Sequence, residues 1–108
     1  NFFSTYGPGT NLAHAGSIIF NSECQVKYIC SAIDYILENN IKHLKVKQDV
    51  VLSYQEQLEA RLNQMVWQHP SVSSWYQNSK GKVVTTSPWR LIEYWEWTKH
   101  FEPLDYEF

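Results

Sequence analysis

An α+β fold is predicted for this chain of 108 residues, and three features predict it. Two long stretches carry apolar residues at helical spacing, and short β-favouring runs lie before, between and after them. Glycine, asparagine and proline punctuate the joins. The expected element order is β-α-β-α-β-β-α. The length suits one domain with an adequate but small core.

Phe2–Tyr6 alternates loosely and is expected to be a strand leading into the turn at Gly7, Pro8 and Gly9. Ser17 to about Glu38 reads as a long helix, with Ile18, Ile19, Val26, Ile29, Ile33, Ile36 and Leu37 forming a broad stripe. Apolar residues cover so much of its circumference that it should lie between two layers. Glu38, Asn39 and Asn40 stop it, since asparagine tolerates the left-handed conformation.

Ile41–Lys47 is expected as a short strand with Leu44 and Val46 inward and lysines outward. Asp49 can cap a second helix running to about Trp67, because Val50, Tyr54, Leu58, Leu62 and Val66 recur every four residues. The dipeptide His69-Pro70 ends it. A hairpin should follow, with strands Val72–Tyr76 and Lys82–Thr86 around a turn at Asn78 to Gly81. Ser87 as cap and Pro88 in the first turn predict a last helix over Trp89–Lys99. The tail "FEPLDYEF" reads as irregular.

Bulk properties exclude several function classes. A net charge of −2 offers no electrostatic footprint for nucleic acid. Charges interrupt every apolar stretch, so no membrane association is expected. The chain starts at Asn1 inside the apolar run "FFSTYG", which suggests a piece of something longer. Cys24 and Cys30 would point about 120° apart and lie about 9 Å apart along a helix, too far to bridge. Two free thiols fit a reducing cytoplasm. Five tryptophans and seven tyrosines, most of them late in the chain, mark either a dense core or a binding interface, and the interface is favoured.

Recognisable catalytic patterns are missing. No GxGxxG follows the first expected strand, and no P-loop, zinc spacing or GxSxG elbow is present. What remains is "YGPGTNLAHAGSIIF", where Gly7, Gly9 and Gly16 surround Thr10 and Asn11 just before a helix. A helix start carries unpaired N–H groups and the positive end of the macrodipole, so it attracts anionic or carbonyl-bearing ligands. Ordinary turn chemistry explains the same residues without a ligand.

GPGTNLAH, SECQ, SWY, NSKG and SPWR, taken in this order, resemble the C-terminal part of flavin-containing Baeyer–Villiger monooxygenases, of the 4-hydroxyacetophenone monooxygenase type. The likeness covers Tyr6 to about Trp97. It implies a parent enzyme with two dinucleotide-binding α/β folds, for FAD and NADPH, inserting oxygen beside a ketone carbonyl to give an ester or lactone. The glycine-rich fingerprints for both cofactors would lie upstream. Residues 1–47 would end the FAD-binding domain, and residues 48–108 would supply a helix, an aromatic hairpin and a terminal helix. Alone, the chain would be inactive, and its expected partners are those upstream domains and a small ketone. Its bared apolar surface would favour self-association.

By the same resemblance Gly9, Thr10, Asn11 and Ser17 would border the flavin. Leu12, Ala13 and His14 would line the substrate pocket, although His14 replaces an apolar residue and a structural role is favoured for it over that of a base. Trp75 would reach the ribose of NADPH or else pack against the second helix. Lys82 stands where relatives carry arginine, and Arg90 reads either as an anion contact or as a surface pair. Two other functions compete: a stand-alone, aromatic-rich interaction or small-ligand module, and a flavoprotein that oxygenates nitrogen or sulfur.

Overall fold

A 21-residue helix, α1 (Ile18–Glu38), is the backbone of the fold. The Ser17 hydroxyl caps it by accepting from the Phe20 N–H at 3.4 Å. The computed structural model describes residues 1–13 and 16–108. After α1 come strand β1 (Lys45–Val46), helix α2 (Gln48–Leu62) and a 3-10 turn at Val66–Gln68. Helix α3 (Leu91–Thr98), a 3-10 turn at Pro103–Asp105 and strand β2 (Tyr106–Glu107) complete the order. The α+β class stands, though with far less strand than expected.

α3 packs along α1, and the tail then turns back beneath it. The core there is Ala32, Leu44 and Phe101, ringed by Phe3, Tyr28, Tyr35, Ile36 and Tyr106. Phe101 meets Tyr28 edge-on at 5.7 Å and Tyr106 at 4.8 Å between ring centroids. Leu62, Val83 and Trp89 are buried as well. No described helix is long and apolar enough to cross a membrane.

Several expectations are corrected. Phe2–Tyr6 is not a strand: no described strand edge pairs with it, and its polar groups go elsewhere. The Asn1 ammonium donates to the Leu44 carbonyl at 3.0 Å, and the Tyr6 N–H to Gln25 Oε1 at 2.9 Å. Ile41–Lys47 shrinks to Lys45–Val46, with Leu44 buried but Val46 exposed. The tail is not irregular, because β2 pairs with β1 antiparallel, Lys45 opposite Glu107 and Val46 opposite Tyr106. Without that distant partner, neither strand is visible locally.

Asp49 lies in the first turn of α2 rather than at its cap, which is Lys47. There its carboxylate complements the helix dipole. α2 stops at Leu62 because Met65 is extended, so the next turn restarts as 3-10. The hairpin keeps its turn, where Asn78 N–H donates to the Lys82 carbonyl at 2.9 Å. Its expected strands reduce to a single bridge, Gln77 opposite Val83. The Val84 N–H still reaches the Tyr76 carbonyl at 3.0 Å, but side chains hold the neighbouring donors: Asn78 Oδ1 accepts from the Lys82 N–H and Gln68 Oε1 from the Val83 N–H. Helix α3 starts four residues after Ser87, because Thr85 and Ser87 are bound to Asn11 and Arg90 is extended.

Candidate functional site

Two backbone hydrogen bonds tie the amino-terminal loop to the segment before α3. The Asn11 N–H donates to the Thr85 carbonyl at 3.0 Å, and the Ser87 N–H to the Asn11 carbonyl at 2.9 Å. Asn11 and Thr86 therefore form a parallel bridge. Around it Thr86, Ser87, Pro88 and Trp89 are all buried, which makes a firm floor. The loop reaches this position through two left-handed residues, Tyr6 at φ 51° and Gly9 at φ 73°. The Tyr6 hydroxyl then donates to Asn11 Oδ1 at 2.9 Å.

This bridge opens a groove of about 530 Å³ lined by Tyr6, Pro8, Asn11, Trp75, Val84 and Thr85. Trp75 is 71% exposed, and its ring meets that of Tyr76 at 4.4 Å between centroids with a tilt of 49°. Its indole thus offers a flat, pre-positioned surface at the groove edge. Of the residues singled out in the sequence, Asn11 and Trp75 meet here. Thr10 donates to the Gly7 carbonyl at 2.6 Å and lines a neighbouring cleft of about 340 Å³ with Gln25 and Tyr94. Gly9 and Ser17 line neither cleft.

Leu12 and Ala13 are half-buried. Leu12 lies against Gly16, whose missing side chain leaves room for the tips of Leu12 and Leu91. His14 falls outside the described residues. Gly16 and Ser17 are exposed at the α1 N-terminus, where first-turn N–H groups lack helical partners. That donor set suits a carbonyl or a ring edge that gains negative charge. A phosphate would find less. Both candidate anion contacts are already paired, Lys82 with Glu59 and Arg90 with Glu93 at 3.3 Å.

The chain resembles known proteins over nearly its whole length. It is 38% identical over 106 residues to an uncharacterized monooxygenase of Sinorhizobium fredii, covering 98% of this chain and 16% of that protein. A Baeyer–Villiger monooxygenase of Pseudomonas aeruginosa is 32% identical over 95 residues, 84% of this chain and 18% of that protein. An FAD-binding monooxygenase of Aspergillus niger is 28% identical over 98 residues, 87% of this chain and 16% of that protein. This chain is homologous to a segment of monooxygenases. It spans less than a fifth of the length of these three relatives. No family model and no solved structure matches.

Within this segment, sequence reasoning missed the residues that brace the loop. Gln25 donates to the Tyr94 hydroxyl at 2.8 Å while accepting from the Tyr6 N–H, linking α1, α3 and the loop in one chain of bonds. Burial pushes the Tyr94 phenol above its usual range, against the opposing pull of Gln25. Gln25 closes the SECQ motif, so the residue was in view, but its role depends on a helix near the other end of the chain. Asn21, on α1, is 1% exposed and its Oδ1 has no hydrogen-bond partner among the described residues.

Proposed function

We propose that this chain is the C-terminal part of an FAD- and NADPH-dependent monooxygenase that converts ketones to esters or lactones. The reaction consumes dioxygen and NADPH: one oxygen atom enters beside the carbonyl carbon and the other leaves as water. The observation that carries this reading is the run of similarity to monooxygenases, Baeyer–Villiger enzymes among them, across 84–98% of the chain. The groove is in keeping with it, because Asn11 and Trp75 both line that groove.

FAD would supply the electron carrier that activates oxygen. Its pyrimidine edge would face the α1 N-terminus, where Gly16 and Ser17 are exposed and the dipole favours negative charge. Stabilisation of that charge would be on the order of 1 kcal/mol. Gly9, Thr10 and Asn11 would shape the loop beside it, and Leu12, Ala13 and His14 would border the ketone. Trp75 would lie against the ribose of NADPH. The phosphate-binding machinery would belong to domains outside this chain, in keeping with the pairing of Lys82 and Arg90. The proposed compartment is the cytoplasm, in keeping with two unbridged thiols, Cys24 and Cys30.

The test is turnover by the full-length enzyme under isotopically heavy dioxygen, with NADPH and an aryl ketone such as 4-hydroxyacetophenone. An ester carrying one heavy oxygen atom is expected. Oxygenation of amines or sulfides with ketones untouched would overturn the ketone assignment, and a purified protein without flavin would overturn the whole reading.

A further inference from the structure

Helix α1 has two apolar faces, and the structure covers one of them. Asn21, Cys24, Tyr28, Ala32 and Tyr35 form the covered face; the first, second and fourth of these are buried, and both tyrosines are half-buried. At about 100° per residue, Ile19, Val26, Cys30, Ile33 and Leu37 fall about 180° away. All five are exposed, Ile19 at 69% and Leu37 at 73%. Their spacing of seven, four, three and four residues keeps them in one narrow row about 27 Å long. Glu23 and Lys27 border the row on one side.

The row also opens into a hollow. Ile19, Val26 and Cys30 on α1 face Trp95 on α3, and Lys99 just after it, across a cavity of about 580 Å³. A surface helix needs only one apolar stripe, and its outward face is polar. A helix with two opposed stripes belongs in the middle of a layered structure.

We propose that the Ile19–Leu37 row of α1 is the seam on which another apolar layer of the same, longer polypeptide packs, filling the hollow beside Trp95. The inference rests on the reading of this chain as part of a longer monooxygenase. Three relatives extend well beyond the matched segment, which makes up 16–18% of their length. They therefore carry ample chain to supply such a layer. A row of this length fits one helix at a shallow crossing angle or one face of a sheet. α1 is then the slab between the tail cluster of Phe101 and Tyr106 and the rest of the enzyme.

Cys30 sits in the middle of the row, which gives a direct readout. In the native full-length protein, Cys30 should react with a charged, water-soluble maleimide roughly tenfold or more slowly than a reference thiol placed on the wet face of α2 by Gln55→Cys. Ile33→Asp should raise the Cys30 rate, while Ile33→Leu should leave it low. Should Ile33→Asp fail to fold, labelling of the unmodified protein alone decides the matter. Cys30 reacting as fast as the reference overturns the proposal. So does protection that vanishes on dilution as light scattering shows two copies parting into one, because the occupant is then a second copy. Protection of Cys30 in an enzyme that leaves ketones untouched would sink the proposed activity and keep the seam.

Discussion

The hydroxyls of Tyr28 and Tyr106 lie 2.7 Å apart and join the middle of α1 to the last strand of the chain. Burial, with the partner hydroxyl adding to it at Tyr28, pushes both phenols above the ordinary value of 10.0. A phenol raised on folding stays neutral where the unfolded chain has already ionised. Its contribution to stability is therefore complete below about pH 10 and declines as the pH rises further. Denaturant titrations across this range should show that decline, and Tyr106→Phe should lessen it while costing about 1 kcal/mol at neutral pH. A slope unchanged by the substitution would show that the pair does not control the alkaline limb.

Glu93 should contribute to the acid limb. Its carboxylate accepts from the Arg90 N–H at 2.8 Å and the Arg90 guanidinium at 3.4 Å, with Arg61 also at 3.4 Å. The Arg90 side chain is the largest cause holding its pKa below the ordinary 4.5. A depressed carboxyl contributes stability that is present above the unfolded value and lost as the pH falls below it. Glu93→Gln should therefore lower stability at neutral pH and flatten the loss below about pH 4.5. An acid limb of unchanged steepness would place its cause elsewhere.

Two glycines in the loop should respond differently to a methyl group. At Gly9, φ 73°, a Cβ meets nothing within 4 Å, so Gly9→Ala costs only backbone strain, about 1 kcal/mol. At Gly16, φ 136°, a Cβ would also press Leu91 at 3.0 Å and Leu12 at 3.1 Å. Gly16→Ala should therefore cost more than Gly9→Ala, measured by thermal unfolding of the two variants side by side. The reverse order would mean that the Leu12–Leu91 contact yields freely.

Trp75 lies outside the core, so its removal should spare the fold. In the full-length enzyme, Trp75→Ala should leave flavin content unchanged while raising the KM for NADPH on the order of tenfold, the loss of one aromatic contact. An unaltered KM would return Trp75 to a purely structural ring contact with Tyr76.

How much of this was legible in the sequence depended on how far each signal had to reach. The span of α1 was readable because apolar spacing acts within one or two turns, whereas the capping role of Ser17 came only with the structure. The turn at Asn78 to Gly81 was readable too, Gly81 taking φ 74° as such a turn requires. Of the site, Asn11 and Trp75 were singled out and found on one groove. Tyr6 and Gln25 were not, because their hydrogen bonds join segments that the sequence does not show to be neighbours.

The sequence by itself determined the two long helices, the helix start after Gly16 and the aromatic character of the second half. Only the tertiary structure decided that Lys45–Val46 pairs with Tyr106–Glu107, that Asn11 bridges Thr86, and that Phe2–Tyr6 forms no strand. The reason is physical. Helix propensity and capping are settled among neighbours along the chain, whereas a strand exists only where some distant edge offers its hydrogen bonds.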